Sequence, residues 1–580
     1  MCGIVGIVGN FNIQQLDSML RSQHHRGPDA TGKYTDASFA ALGHNRLAII
    51  DLSVQSNQPF LDSSGRYALV FNGEIYNYNE LKASLQNQYV FKTESDTEVL
   101  LAAFIIYGTD CLQKLNGMFS FAIWDNQNKK LFAARDRFGV KPFYYSIKNN
   151  SFYFSSEIKA LHAAGIPKIP NEKVWASYFA YGSYGNPDET FWQDVVQLPG
   201  GHFLEYENQK LQIKKWYSFE EEVAKQPKNL TYAQAKEHYL TLLKDSIRLR
   251  FRADVPVGFN ISGGLDSSVL LAMVNSQENA TSNNNNNNNN CNAYTFYTNN
   301  GDYDELPWVE AMIAKTNNPL IKVLLQANEV PVLAHKMGGQ QDEPYGGIPT
   351  LAYAKLFEQA RKDKVLVLLD GQGMDEQWAG YDYYTQENEA TIQGVHDSPY
   401  KINMLSDSFL AKVEKPVYPQ PFDDVVLNKQ YRDLFYTKIP RALRFNDRIS
   451  MICSTELREP FLDYRLVEFA FSLPLNFKIK NGVTKFMLRE IASDYLADDL
   501  VFTPKRPVQT PQREWLADDL NVWVNECFEG ISNSNYSSWF IQEELQKELR
   551  LYMEGDFQSS FHIWQCVNCY ELIFNLKRLI

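Results

Sequence analysis

One short segment in the second half of the chain restricts the fold more than any other feature. The apolar run at 255–261 reads as a buried strand that leads into Ser262-Gly263-Gly264-Leu265-Asp266-Ser267-Ser268, and a helix is predicted over 265–274. A strand, a glycine-rich turn and a helix in this order aim backbone N–H groups and the helix dipole at a phosphate. Short apolar runs at 293–298 and 365–369 alternate with helical segments, so the pattern predicts a parallel, doubly wound α/β sheet.

Composition and charge narrow the class of protein. The chain has 580 residues, 44% hydrophobic and 22% charged, which is typical of two or three globular domains. A net charge of −13 without a long basic block argues against a nucleic-acid partner. Seven cysteines in so long a chain indicate a reducing compartment. No apolar stretch reaches the ~18–20 residues of a membrane helix. The first basic residue is Arg21, which does not fit a secretory signal. We therefore expect a soluble, cytoplasmic protein that does not bind membranes.

The N-terminus carries a candidate nucleophile. Removal of Met1 would leave Cys2 with a free α-amine, whose pKa of roughly 7.7–8.0 allows it to take the proton of the neighbouring thiol. Residues 3–9 read as a buried strand, and paired apolar runs at 118–134 and 142–155 predict hairpins. The first two hundred residues are therefore expected to be rich in antiparallel sheet.

Four further segments give Cys2 a recognisable context. They are a charged turn at 25–29, a strand with a polar entry at 44–51, the segment 71–77 after another strand, and the segment 93–98 before a helix. With Cys2 these segments resemble the class II glutamine amidotransferases over about residues 2–210. The resemblance implies an α+β fold, an αββα sandwich of the N-terminal-nucleophile type, that releases ammonia from glutamine.

The same resemblance implies how glutamine is hydrolysed. Cys2 would attack the side-chain amide and form a thioester. The side-chain amide of Asn72 and the backbone N–H of Gly73 would hold the oxyanion, a contribution of ~3–4 kcal/mol to the barrier in other enzymes.

A set of residues is implied to bind the glutamine itself. The set is Arg46, Leu47, Ile50, Asn72, Gly73, Glu74 and Asp96. Arg46 would pair with the α-carboxylate, and Glu74 and Asp96 would face the α-ammonium. The alternative is purely structural, with Arg46 and Asp96 as an internal ion pair and Asn72-Gly73 as a hairpin turn.

The glycine-rich segment 262–268 resembles the PP-loop of ATP pyrophosphatases, which cleave ATP between the α and β phosphates. It is not the P-loop of kinases and GTPases, because the Gly-x-x-x-x-Gly-Lys-Ser/Thr pattern is missing. A second acidic segment at 370–376 follows a short strand. With 441–448, 456–463 and 481–485, these segments resemble the synthetase half of glutamine-dependent asparagine synthetases. A doubly wound PP-loop domain with a helical C-terminal region is the implied fold.

This second resemblance implies a nucleotide site, since carboxylates that follow adjacent parallel strands meet at one crevice. The residues implied to bind ATP are Ile261, Ser262, Gly263, Gly264, Asp266, Ser267, Ser268, Phe296, Asp370 and Gly371. Asp266 and Asp375 would hold Mg²⁺, for which carboxylate oxygens are suitable ligands. Lys485 would stabilise charge at the phosphates, which makes it a candidate catalytic residue.

Residue 372 departs from the pattern of the family. Where the family has Ser-Gly-Glu-Gly, this chain has Asp370-Gly371-Gln372-Gly373. The family glutamate is assigned to acyl-adenylate formation or to proton acceptance, and a glutamine side chain cannot accept a proton at neutral pH. Three explanations are open: another group such as Asp370 acts as base, the carboxylate is dispensable, or the acceptor is not aspartate.

Together the resemblances predict a glutamine amidotransferase domain at 2–212 and a synthetase domain at 230–580, joined by a polar linker at 218–230. The expected reaction converts ATP, aspartate, glutamine and water into AMP, diphosphate, asparagine and glutamate. It would pass through an acyl-adenylate and internally transferred ammonia. One alternative amidates another carboxylate, such as a sugar uronate. Another, of a different class, is a non-catalytic regulatory or assembly protein. The expected partners are these small molecules, and a homodimer is an open alternative.

Two features have structural interpretations. The run of asparagines at 283–290 predicts a mobile surface loop. The Cys566-x-x-Cys569 pair has no second pair with which to form a zinc site, so it is interpreted as part of a buried helix face.

Overall fold

The computed structural model describes residues 1–37, 39–278, 291–386, 398–502, 509–556 and 560–574. The asparagine run at 283–290, predicted to be a loop, lies outside these ranges. The strands of the N-terminal part are β1 (Gly3–Val8), β2 (Ala30–Asp36), β3 (Ala40–Arg46), β4 (Phe60–Leu61), β5 (Tyr67–Ile75), β6 (Gly117–Asp125), β7 (Lys130–Arg135), β8 (Tyr144–Lys148), β9 (Ser151–Ser155), β10 (Val196–Gln197), β11 (His202–Glu207) and β12 (Lys210–Lys215). Its helices are α1 (Ile13–Ser22), α2 (Tyr78–Leu85), α3 (Asp96–Tyr107), α4 (Cys111–Lys114), α5 (Ile158–Ala163) and α6 (Glu172–Tyr181).

The N-terminal part is a sandwich of two six-stranded antiparallel sheets. Their strand orders are β10-β8-β9-β1-β3-β2 and β12-β11-β7-β6-β5-β4. Alternation along β1 sends Ile4 and Val8 into the core between the sheets, while Val5 and Ile7 face the helical layer on the other side. Helices α1 and α5 pack on the first sheet, and α3 packs on the second. This is the predicted αββα sandwich.

The C-terminal part is built on a five-stranded parallel sheet. Its strands are β13 (Val257–Asn260), β14 (Ala293–Tyr297), β15 (Leu320–Leu324), β16 (Val367–Leu369) and β17 (Glu456–Arg458). Its helices are α7 (Phe219–Lys225), α8 (Tyr232–Arg250), α9 (Leu265–Glu278), α10 (Leu306–Thr316), α11 (Val330–Gln341), α12 (Ile348–Lys362), α13 (Met374–Gln377), α14 (Asp407–Leu410), α15 (Val425–Phe435), α16 (Lys438–Ile452), α17 (Tyr464–Ser472), α18 (Leu475–Lys478), α19 (Phe486–Ala492), α20 (Asp498–Val501), α21 (Gln512–Ala517), α22 (Asn521–Ser532), α23 (Gln542–Met553) and α24 (Phe561–Cys569).

The strand order of this sheet is β15-β14-β13-β16-β17. The chain starts at the central strand, adds two strands on one side, and then adds two on the other. Such a reversal opens a crevice at the carboxyl ends of the central strands, where ligands bind in doubly wound folds. The predicted α/β class is confirmed, and the segment 262–268 lies at this crevice because it follows β13.

Two local predictions differ from the structure. Part of the polar stretch at 218–230, predicted as a linker, forms α7, because Phe219 and Val223 lie one helical turn apart and are both buried in the core. The strand predicted over 44–51 ends at Arg46, and the chain turns away after it. In α24 both Cys566 and Cys569 are fully buried, as the interpretation of a core face requires.

The two parts share their hydrophobic cores. One core joins Met1 and Met118 from the N-terminal part to Leu369 and Phe461 around the parallel sheet. A second core joins the outer face of β1 to helices of the C-terminal part, including α12 and α22. Within the described ranges, no helix is both long enough and apolar enough to cross a membrane.

Candidate active sites

Cys2 lies against β5, next to two of the residues predicted to act with it. Its backbone N–H donates to the Asn72 Oδ1 atom at 3.0 Å, and its Sγ atom lies 3.8 Å from the Leu47 carbonyl oxygen. The Asn72 Nδ2 group is buried and has no hydrogen-bond partner in the described part of the chain. An N–H donor beside the thiol is therefore available for an oxyanion. Asn72 and Gly73 lie within strand β5, so they do not form the hairpin turn of the structural alternative.

The backbone conformation at residue 73 requires glycine. Its φ is +152°, and a Cβ atom there would come within 2.1 Å of the Met118 carbonyl oxygen in the paired strand β6. Only glycine avoids both the unfavourable φ and this clash. Glycine therefore lets β5 lie close against β6 directly after Asn72, where the sequence predicted the second oxyanion donor.

The environment of Cys2 includes the N-terminal ammonium. Burial raises the pKa of the Cys2 thiol, and the positive charges of the Met1 ammonium and Arg46 oppose that shift. The Met1 ammonium itself is fully buried, 2.6 Å from Glu456 Oε2 at the start of β17. The N-terminus thus reaches into the C-terminal part, and removal of Met1 would transfer the free amine to Cys2.

The two carboxylates predicted to face the ammonium of glutamine lie together. Burial raises the pKa of Glu74 well above its ordinary value, with further contributions from the charges of Glu456 and Asp96. Burial also raises the pKa of Asp96 to about 6, although Asp96 accepts a hydrogen bond from the Ile75 N–H at 2.9 Å. One oxygen of Glu74 has no hydrogen-bond partner among the described residues. Such a group of buried carboxylates favours a bound cation.

Arg46 anchors the loop that follows β3. Its guanidinium donates to the carbonyl of Ser53 and the side-chain oxygen of Asn57, at 2.7 and 2.8 Å. It also donates to the carbonyls of Ile50 and Asp51. In the described ranges Arg46 forms no ion pair with Asp96, so that structural alternative is wrong. The loop that carries the predicted residues Leu47 and Ile50 is therefore fixed beside Cys2 by Arg46.

The predicted nucleotide-binding segment surrounds the end of β13. Its loop is closed by the hydroxyl of Ser267, which donates to the Ser262 carbonyl at 2.9 Å, and by the hydroxyl of Ser268, which donates to the Gly264 carbonyl at 2.8 Å. A Cβ atom on Gly263 would lie 3.0 Å from the Cβ of Trp308, so the loop packs closely on the start of α10. A pocket beside this loop is lined by residues from several strands and loops, namely Ile261, Ser262, Thr295, Phe296, Tyr303, Asp304, Glu305, Tyr353 and Gln509.

Lys485 joins the two carboxylates predicted to hold the metal. Its Nζ lies 2.7 Å from both carboxylate oxygens of Asp266 and 2.6 Å from Asp375 Oδ1. Burial by itself would lower the pKa of Lys485, but the two carboxylates outweigh it and raise the pKa. The oxygen ligands fit the chemistry of Mg²⁺. In the described ranges no group of three or more Asp, Glu, His or Cys side chains converges as a metal site.

The segment after β16 completes the crevice. Asp370 is buried and accepts a hydrogen bond from Asn260 Nδ2 at 2.7 Å, and burial raises its pKa. A Cβ atom on Gly371 would lie 3.1 Å from the Ser267 N atom, so this segment packs directly on the glycine-rich loop. Gln372 is half-buried beside them.

Glu459, which follows β17, was not among the predicted site residues. Its segment was recognised, but no role was given to this side chain. It is 5% exposed, and burial raises its pKa to about 8. The one local signal was an acidic residue directly before the apolar run Pro460-Phe461-Leu462.

Comparison with known proteins agrees with this arrangement. Residues 1–217 match the family model of a glutamine amidotransferase domain, and residues 238–576, more than half of the chain, match the family model of asparagine synthase. The chain belongs to the asparagine synthase family. The resemblance inferred from its motifs is therefore confirmed.

Members of the family resemble the chain over most of its length. Asparagine synthetase [glutamine-hydrolyzing] 3 of Bacillus subtilis is 30% identical, over 90% of this chain and 89% of its own. Asparagine synthetase [glutamine-hydrolyzing] 1 of the same organism is 26% identical, over 97% of this chain and 95% of its own. Amidase chry2 of Gibberella zeae is also 26% identical, over 91% of this chain and 90% of its own.

Proposed function

We propose that this asparagine synthase family member is a glutamine-hydrolysing asparagine synthase. ATP, aspartate, glutamine and water give AMP, diphosphate, asparagine and glutamate. The observation that carries the proposal is that one chain holds two sites. Cys2 lies beside Asn72, whose Nδ2 group has no partner among the described residues, and Asp266, Asp375 and Lys485 lie in the crevice of a parallel sheet. Each site could act without the other, but transfer of an amide nitrogen from glutamine to aspartate needs both sites.

In the N-terminal site, Cys2 attacks the side-chain amide of glutamine, and its own α-amine takes the thiol proton once Met1 is removed. The oxyanion that forms accepts hydrogen bonds from Asn72 Nδ2 and the Gly73 N–H. Glu74 and Asp96 attract the ammonium of the substrate, and the loop anchored by Arg46 forms the rest of the glutamine site. Ammonia leaves, and water hydrolyses the thioester to glutamate.

In the C-terminal site, the pocket that includes Ile261 and Phe296 holds the nucleoside, and the N–H groups of segment 262–268 face the phosphates. Asp370 and Gly371 border the same crevice. Lys485 neutralises charge as aspartate is adenylated and pyrophosphate departs. A Mg²⁺ ion held by Asp266 and Asp375 would reduce the repulsion between the phosphates and the attacking carboxylate. Transfer of ammonia within the protein matters because ammonia in neutral water is mostly protonated.

The domain boundaries inferred from the sequence, 2–212 and 230–580, are part of this proposal. Cytoplasmic location and dimer formation stay predictions.

A second function, amidation of another carboxylate such as a sugar uronate, rests on one observation. Gln372 replaces the family glutamate in the crevice, so the acceptor step departs from the family pattern at a residue assigned to it.

The test compares substrates on the purified full-length protein. Mg-ATP and glutamine are supplied with and without aspartate, and pyrophosphate, glutamate and asparagine are measured. We expect aspartate-dependent pyrophosphate and asparagine in equal amounts. The Cys2→Ala variant should lose synthesis from glutamine and keep synthesis from ammonium chloride. Glutamate without asparagine or pyrophosphate would reject aspartate as acceptor and direct the search to uronates.

A further inference from the structure

A second buried carboxyl group, that of Glu459, belongs to a segment that contacts the one carrying Gln372. Strands β16 and β17 are parallel neighbours, and the Asp370 N–H donates to the Arg458 carbonyl at 2.9 Å. Asp370 and Glu459 therefore leave adjacent strands at the same edge of the sheet. A Cβ atom on Gly373 would come within 2.5 Å of Leu462 Cδ2, so the segments 370–373 and 459–462 are in direct contact.

Glu459 is one of the residues that line a small cavity between the two halves of the molecule. The cavity is lined by Tyr76 and Met118 from the N-terminal part and by Arg250, Glu459 and Leu462 from the C-terminal part. Met118 is paired with Glu74 in the β5–β6 ladder, next to Gly73 and its partner Phe119. The cavity thus borders the strand paired with the one that carries Gly73 and Glu74, and it also borders the segment 459–462, which contacts 370–373.

The Glu459 carboxyl is buried without a polar partner in the described part of the chain. No described residue donates a hydrogen bond to its carboxyl or forms an ion pair with it, although the residue is 5% exposed. Asp370 differs, because its carboxylate accepts hydrogen bonds from Asn260 and from the backbone N–H groups of Gly371 and Gln372. Of these two carboxyls, Glu459 is the one that accepts no hydrogen bond within the part of the chain that the structure describes.

The charges around Glu459 shift its pKa in opposite directions. The groups that face it are Lys141, Arg250, Asp370, Asp447 and the Tyr76 hydroxyl. Burial, Asp370 and Asp447 favour the neutral form, whereas Lys141 and Arg250 favour the carboxylate, and the pKa is raised to about 8. A group with a pKa near the working pH is suited to proton transfer.

Given the proposed function, we propose that Glu459, in place of Gln372, accepts the proton released when ammonia attacks the aspartyl adenylate. The nitrogen forms a bond to the acyl carbon, and the bond from that carbon to the AMP oxygen breaks, its electron pair leaving with AMP. One of the three protons of ammonia must then be lost to give the amide. The Glu459 carboxylate takes it and later returns it to water.

The test separates this step from the steps before it. Three readouts are taken on the full-length protein: glutamate release from glutamine, aspartate-dependent exchange of pyrophosphate into ATP, and asparagine formation from glutamine or from ammonium chloride. In Glu459→Gln we expect asparagine formation from both nitrogen sources to fall by about 100-fold. The other two readouts should stay at the wild-type level.

Three comparisons show whether the carboxyl itself is responsible. The double variant Gln372→Glu/Glu459→Gln should recover most of the lost rate, because it returns a carboxyl to the crevice. The wild-type rate with glutamine should rise towards pH 8, and this rise should be absent in Glu459→Gln. Glu468→Gln is the matched control, since Glu468 is also buried, has a pKa raised to about 7 by burial, and bonds to Tyr217 away from the crevice.

Each other outcome overturns the proposal in a distinct way. Unchanged asparagine formation in Glu459→Gln shows that the carboxyl is not needed. Equal loss of pyrophosphate exchange shows a role in binding or folding. Loss with glutamine but not with ammonium chloride shows a role in ammonia passage alone. Wild-type protein that releases glutamate but never makes asparagine rejects the proposed function, and this inference with it.

Discussion

Asn72 offers the sharpest test at the scale of single residues, because its Nδ2 donor is buried beside Cys2 without a partner. In Asn72→Ala, we expect glutamine-dependent kcat to fall by about 10²–10³-fold, the usual cost of removing one oxyanion donor. The KM for glutamine should change little, since the donor acts mainly on the transition state. Ammonium-dependent asparagine synthesis serves as the internal control. A loss that appears in KM instead would assign Asn72 to substrate binding.

Asp96 should set the acid limit of glutamine use. Its pKa is raised by burial to about 6, compared with an ordinary value of about 3.9. The carboxylate is therefore present above pH 6 and is lost as the pH falls through 6, which removes the charge proposed to attract the ammonium of glutamine. We expect kcat/KM for glutamine to fall below pH 6.

The control for this acid limit is Asp96→Asn, which retains an oxygen to accept the Ile75 N–H. This variant should have a lower kcat/KM for glutamine that no longer decreases below pH 6. A decrease that persists in the variant would assign the titration to another group.

At the scale of elements, the loop after α13 is shaped by Gly380. A Cβ atom there would lie 1.9 Å from Asp375 Oδ1 and 2.4 Å from Lys485 Cε. Gly380→Ala must therefore displace the carboxylate and the ammonium, and a shift of about 1 Å at such a site can cost 10²-fold in rate. We expect pyrophosphate exchange to fall by about that factor while glutamate release is unchanged. Gly301→Ala, which meets no atom within 4 Å, is the matched control; an equal loss there would refute the steric explanation.

Strands and motifs were predictable where the local pattern decided the structure. The apolar strand before segment 262–268 and the hairpins of the sandwich follow from periodicity and turn residues. The helix α7 was missed because only Phe219 and Val223 make it amphipathic, and their burial depends on a core built by distant residues. Glu459 was missed for a similar reason, because its neighbours Lys141, Asp370 and Arg250 come from three separate parts of the chain. Contacts between distant elements cannot be predicted from the spacing of residues within one segment.

At the scale of the whole molecule, the two catalytic parts are held together by buried charge as well as by shared cores. Arg26 is fully buried, and its guanidinium lies 2.9 Å from Glu157 in the N-terminal part and 2.8 Å from Asp447 in α16. Its Nε also donates to the Cys2 carbonyl at 3.0 Å. One side chain therefore connects Cys2, the sandwich and helix α16, so the position of Cys2 depends on the packing of both parts.

The Arg26→Met variant tests this dependence. Two buried carboxylates would lose a cation, and such a loss typically costs about 3–5 kcal/mol of the free energy of unfolding. Because the cores are continuous, we expect the loss in one cooperative transition rather than in the N-terminal part alone. Calorimetry measures this loss in the free energy of unfolding. The ratio of glutamate to asparagine produced should also rise, because the two sites are no longer held in a fixed relative position. Arg66→Met, which breaks the partly exposed pair with Asp125, should have a much smaller effect. Two separate transitions would show instead that the parts unfold independently and that Arg26 acts only locally.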